Sequence, residues 1–173
     1  YPEIQFSLKM RLGWENASEC MVLVELLNTL RLSRIALHAR TGKQQYKGHP
    51  DLEAFQGFYE LCQHPLYYNG DIESLSDIRQ ILTRFPLLKG VFIGRGLLSS
   101  PLLAKEFKGN ETFLPEQRMS IYFAFHEELF SAYSQVLQGE TQLLVKMKTL
   151  WEYFLPETDR KLLKRIKKST RLQ

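Results

Sequence analysis

The sequence is poor in the features that mark secreted, metal-stapled and membrane-spanning chains. It holds only two cysteines, Cys20 and Cys62, in neither metal-ligand nor redox spacing, which excludes a disulfide framework and fits a reducing, cytoplasmic setting. Apolar runs such as residues 91–93 and 97–104 fall far short of the roughly 20 residues of a membrane span. A Ser/His/Asp set, a His-rich metal spacing and a P-loop are also missing. The chain opens Tyr-Pro-Glu with no start Met and no basic-then-apolar leader, so no secretory signal is read and upstream sequence is expected.

What is present fits a folded chain. With 173 residues, 44% hydrophobic and 24% charged, disorder and coiled coil are excluded, and the length suits one domain with room for a small second. Seven bases and no acid lie between Arg160 and Gln173, while the remaining 16 Lys and Arg face 19 Asp and Glu, so the basic character belongs to the C-terminus. Such a tail suits phosphate-bearing partners, nucleic acid above all, and equally a solvated helix end.

Short β-rich runs at residues 4–10, 34–39, 66–69 and 90–93 alternate with helical patterns near 18–30, 51–63 and 74–85. Ser18 is expected to cap the first helix, and Ser74 or Ser76 the third. Four such βα units predict a parallel sheet covered by helices, either part of a barrel or a doubly wound sheet. Each strand ends in polar groups: Lys9 and Arg11, His38 and Arg40, Asn69 and Asp71, then a Gly94-Arg95-Gly96 turn. The spacing of these ends favours successive barrel units, with Lys9, His38, Asn69 and Arg95 in equivalent places at the mouth, where barrel active sites lie. Lys9 and Arg11 should share a face. A ligand or an acid on a neighbouring strand would equally serve as the partner of Lys9, and His38 can be functional or merely hydrogen-bonded. The glycines beside Arg95 suit close approach of an anion such as phosphate. Cys20 and Cys62 lie off the strand ends and are read as packing residues. From about residue 115 the pattern is helical and aromatic, broken at Pro156 before the basic tail.

Leu-Lys-Met-Arg-Leu-Gly-Trp at 8–14, Leu-His-Ala-Arg-Thr-Gly-Lys-Gln at 37–44, Tyr-Asn-Gly-Asp-Ile at 68–72 and Gly-Val-Phe-Ile-Gly-Arg-Gly at 90–96 resemble, in order and spacing, the tRNA-dihydrouridine synthases. The stretch 146–153, Lys-Met-Lys-Thr-Leu-Trp-Glu-Tyr, is similar to that family's basic, aromatic helix. The resemblance implies an α/β fold, the second half of a TIM-type (β/α)8 barrel over residues 1–108, followed by an all-helical tRNA-binding domain over 109–173. It implies that NADPH reduces FMN, which passes hydride to C6 of a flipped-out uracil while a cysteine protonates C5. Carried over, Lys9 and His38 contact flavin and uracil, Asn69, Gly70, Gly94 and Arg95 hold the flavin phosphate, and Arg40, Thr41, Lys146 and Lys148 meet the RNA. The family's cysteine belongs to a Cys-Pro motif on the strand before Lys9. No Cys-Pro occurs here, so no catalytic residue is assigned within this chain. A half-barrel is expected to hold FMN weakly or not at all, to lack activity by itself and to self-associate as a dimer. Two other readings stay open: an FMN barrel acting on a small molecule, and a noncatalytic RNA-binding module.

Overall fold

The computed structural model describes residues 3–155 and 157–171, and its contacts divide the chain into two compact units that meet in sequence at Gly94 and Arg95. Pro156, the expected helix breaker, lies outside the described residues.

The first unit holds four strands, β1 (Phe6–Gly13), β2 (Leu32–Thr41), β3 (Leu66–Asn69) and β4 (Gly90–Phe92), all parallel and hydrogen-bonded in the order β1-β2-β3-β4. Between them run α1 (Glu19–Thr29), α2 (Leu52–Leu61) and α3 (Leu75–Arg84). Sequential strand order decides between the two architectures, because a doubly wound sheet reverses its order at a switch point and a barrel does not. The unit is a partial TIM-type barrel.

Strand parity sorts the side chains. Leu12, Ile35, Leu37, Ala39, Leu66 and Tyr68 are buried, and the register pairs Ile35 with Leu66 and Leu37 with Tyr68 on one face. The helices cover this face: Phe55 of α2 meets Tyr68 and Phe85 edge-on, each at 5.0 Å. Asp51 caps α2 by accepting from Ala54 N–H, and Ser74 and Asp77 cap α3 reciprocally. Ser18 makes no side-chain cap; its carbonyl accepts from Met21 N–H instead.

β1 starts at Phe6 rather than residue 4, β2 runs over Leu32–Thr41 rather than 34–39, β4 ends at Phe92, and two further differences bear on the strand ends. β1 continues three residues past Met10, because the backbone of Arg11 and Gly13 still pairs with β2 despite the charged side chain. The expected Gly94-Arg95-Gly96 turn is no turn beyond Gly94: Arg95 and Gly96 open a helix, α4 (Arg95–Ser99), in which Ser99 Oγ donates to Arg95 O.

The second unit continues with α5 (Leu103–Gly109), α6 (Pro115–Val136), α7 (Glu140–Leu150) and α8 (Arg160–Lys168). Its core joins Leu102, Tyr122, Leu143, Met147, Leu150 and Phe154. Buried Glu106 is neutralised by Arg118, and Ser100 Oγ meets Tyr122 Oη at 2.9 Å. Trp151 donates its indole N–H to His126 Nε2 at 3.2 Å, which fixes that nitrogen as the acceptor. No helix among the described residues is long and apolar enough to cross a membrane.

Candidate functional site

The face of the first unit's sheet opposite the helices carries the polar side chains, and the register arranges them in rows. Arg11, His38, Asn69 and Phe92 form the row at the carboxyl ends of the strands. Lys9 is paired with Ala36, in the row of Tyr67 and Gly90, two residues nearer the strand starts. It shares a face with Arg11 as expected, but the place equivalent to His38 belongs to Arg11. Which residue stands across from which depends on register, and strand spacing alone cannot supply it.

His38 is 7% exposed, and its pKa is pushed down to about 4, first by burial and then by the cations Arg11, Lys9 and Arg40, against a smaller opposing pull from Asp71. The imidazole is therefore neutral near pH 7, a hydrogen-bonding group rather than a source of charge. Positive charge on this face comes from Lys9 and Arg11.

Asn69 donates its amide to Phe92 O at 2.9 Å, tying β3 to β4 beyond the ladder. Gly70 has φ +153°, and a Cβ there would lie 2.8 Å from Tyr68 Oη, so this position takes only glycine without a shift. Asp71 follows in the left-handed region, and its carboxylate accepts from Arg40. Arg40 is 1% exposed; it also donates to Lys47 O and Gly48 O, at 2.6 and 2.9 Å, and its Nε has no partner among the described residues. Thr41 accepts from Gln44 N–H through Oγ1, and from Arg11 Nη1 through its carbonyl at 2.7 Å. Arg40 and Thr41 thus hold the 42–50 loop from beneath, and the loop turns Lys43, Tyr46 and Lys47 outward. A Cβ on Gly94 would meet open space, so the backbone there can be approached closely. Arg95 begins the second unit as the first residue of α4.

Cys20 is buried on α1 with Sγ donating to Ala17 O, Cys62 is half-buried, and burial pushes both thiols up. Neither is a proton donor poised at the open face.

The second unit carries a basic groove of about 980 Å³ between α8 and the aromatic side of α6 and α7. Lys148, Lys161, Lys164, Arg165, Lys168 and Arg171 line it over a floor that includes Phe130 and Trp151. Five of the seven tail bases are therefore in this one groove, together with Lys148; Lys146 is exposed on α7 outside it. Periodicity alone identifies α8 as amphipathic, whereas the convergence of its bases with Lys148 requires the fold.

A parallel half-barrel with cations and amides at its carboxyl edge, joined to a helical unit with a basic groove, defines a class of protein, and comparison with known proteins gives the family. The family model described as "Dihydrouridine synthase (Dus)" matches residues 2–171, and the chain belongs to that family. It is 36% identical over 105 residues to a probable tRNA-dihydrouridine synthase of Aquifex aeolicus, covering 61% of this chain and 33% of that protein. It is 35% identical over 100 residues to one of Rhizobium leguminosarum bv. phaseoli, covering 57% and 31%. The tRNA-dihydrouridine(16) synthase of Escherichia coli K12 is 28% identical over 110 residues, covering 63% and 35%. The matches span about a third of the length of these relatives.

Proposed function

We propose that this chain is the second half of the flavin barrel, with the helical tRNA-binding region, of a cytoplasmic tRNA-dihydrouridine synthase that uses NADPH and FMN. Residues 1–108 would serve the flavin and 109–173 the tRNA. The observation that carries the reading is the joint occurrence of Lys9, Arg11, His38 and Asn69 on one open face with a six-cation groove in the helical unit.

The donor set suits FMN. Lys9 and Arg11 supply positive charge, and neutral His38 supplies an N–H, toward the electron-rich pyrimidine edge of a flavin ring. Asn69, Gly70, Gly94 and Arg95 would hold the ribityl phosphate, Gly94 by the free backbone approach that its missing side chain leaves. When bound, FMN supplies reducing equivalents taken from NADPH. The chain's own residues bind and orient: Lys9 and His38 toward flavin and uracil, Arg40 and Thr41 through the loop they hold against the RNA, Lys146 and Lys148 with the basic groove against phosphates. The proton for C5 would come from a cysteine outside these residues, so this chain alone would be inactive, and with only half of the flavin pocket it would hold FMN weakly or not at all.

β1 and β4 end the ladder on either side, and unpaired edges favour pairing with another chain. Two copies would close edge to edge, which light scattering reads as a dimer.

Incubating the full-length protein with FMN, NADPH and unmodified tRNA tests the reading. Digestion and mass spectrometry should show uridine gaining two hydrogens; NADPH oxidation with unchanged tRNA would favour a small-molecule oxidoreductase, and tRNA binding without NADPH oxidation a noncatalytic module.

A further inference from the structure

The turn after β1 leaves Trp14 65% exposed, yet holds it from two sides. The carboxylate of Glu19 accepts backbone N–H groups of Trp14, Glu15 and Asn16 at 2.8, 2.9 and 2.7 Å, and these bonds hold its pKa below the usual carboxylate range. The loop after β2 is zipped to the same turn: Gly42 N–H donates to Gly13 O at 2.7 Å and Lys43 N–H to Trp14 O at 2.9 Å. The indole rests on Gly42 so closely that a Cβ there would lie 2.3 Å from the ring. One side of the indole is thus seated on backbone, and most of the rest meets solvent.

An exposed indole is free to move unless its surroundings fix it, and fixing it without burying it gives no folding advantage in hydrophobic area. Preorganised aromatic surface of this kind lowers the entropy cost of binding. The neighbours select the ligand. Lys43 and Lys47 are exposed on the adjoining loop, Lys43 in contact with Glu15, and Arg11 of β1 donates to Gln45 O of that loop at 3.3 Å. A protein partner asks for a contiguous apolar patch, whereas a flat ring beside a loop that exposes Lys43, Lys47 and Tyr46, with Glu15 offsetting part of the charge, matches an unpaired nucleobase with its phosphates.

We propose that Trp14, seated on Gly42, is a stacking platform for an unpaired base of the RNA substrate at the rim of the half-barrel. The proposal rests on the RNA-binding part of the function proposed above. It assigns Gly42 a role as well: the absent side chain makes the seat.

The test uses an unmodified tRNA transcript, with a fully paired RNA hairpin as comparison, and titrates wild type, Trp14→Phe, Trp14→Ala, Gly42→Ala and the Trp14→Ala/Gly42→Ala pair across salt concentrations. The chain has two tryptophans, so the emission that disappears in Trp14→Phe reports Trp14. The transcript should quench that emission and the hairpin should not. Trp14→Ala should weaken tRNA binding roughly tenfold, the order expected for one stacked base, with Phe retaining most of the affinity. The slope of log K against log salt should stay unchanged, because every cation that meets a phosphate is still in place. Gly42→Ala should weaken binding similarly by unseating the ring, and the double variant should be no weaker than Trp14→Ala, since both act through the same stacked base. Thermal melting identifies any variant that fails to fold, and the Phe and Gly42 variants then carry the test. Wild-type affinity in Trp14→Ala, additive losses in the double variant, or equal quenching by the hairpin would each overturn the platform while leaving a salt-dependent tRNA-binding protein. If wild type binds no tRNA, platform and RNA-binding reading fall together. An emission from Trp14 that acrylamide cannot reach in the free protein would mean that protein covers the ring, and would also overturn the platform.

Discussion

Arg11 stands directly across the β1–β2 ladder from His38, and the two share the open face of the sheet. Burial first, and then the charges of Arg11, Lys9 and Arg40, keep the imidazole unprotonated down to about pH 4. An unfolded chain binds that proton near pH 6.5, so between 6.5 and 4 the unfolded state holds more protons and stability rises with pH. We expect melting temperature to fall as pH drops through this window, and to fall less steeply in His38→Asn. Identical pH profiles would show that His38 is not the group responsible.

On the same strand, buried Arg40 pairs with the more exposed Asp71. Removing the guanidinium leaves Asp71 without this cation and the carbonyls of Lys47 and Gly48 without their donors. Arg40→Ala should cost about 2 kcal/mol in chemical denaturation, from the lost packing of a buried side chain and the loss of its donors to two carbonyls. Asp71→Asn should cost less, since asparagine tolerates the left-handed backbone and Arg40 keeps its two carbonyls. A larger loss in Asp71→Asn would reverse the importance of the two partners.

Gly70 and Gly94 should respond oppositely to alanine. At Gly70 the positive φ and the nearby Tyr68 hydroxyl make Gly70→Ala destabilising by about 2 kcal/mol whether or not flavin is present. At Gly94 the space is open, so Gly94→Ala should melt like wild type and yet weaken FMN binding by the full-length protein. Unaltered FMN affinity in Gly94→Ala would remove this residue from the phosphate site.

These pairs also show what the sequence makes legible and what it hides. The four strands and the three helices between them are legible because the strands hold short apolar runs and each of these helices has an apolar stripe, and β3 falls at residues 66–69 as expected. The row of Arg11 with His38 is not, because register depends on how two distant segments pair. Helices α4 and α5 are hidden by Gly94, Gly96, Ser99, Ser100 and Pro101, residues that locally favour turns. Tertiary packing overrides that preference: Gly96, Leu102 and Leu103 are buried, and Arg118 on α6 neutralises Glu106 on α5. The burial of Arg40 has no local signal either, since its partners lie 7, 8 and 31 residues away. Basic residues in the tail are visible as a run, and the groove they share with Lys148 is not.

That groove predicts a salt effect. Replacing Lys161, Lys164, Arg165 and Lys168 together by Gln should flatten the dependence of tRNA affinity on salt, by roughly 0.7–0.9 in the log–log slope for each phosphate that no longer meets a cation. An unchanged slope in filter-binding titrations would place the phosphate-binding cations elsewhere.

The open face of the half-barrel serves chemistry on the base while the helical unit holds the RNA, in the function proposed above. This division of labour is tested most directly by single-turnover reduction of bound tRNA by the full-length protein, with Lys9→Ala and His38→Ala measured beside their tRNA dissociation constants. Reduction should slow about 100-fold or more, in the range for removing a group at the reacting centre, while affinity stays within about twofold. Loss of tRNA affinity with an undiminished rate on bound tRNA would contradict it.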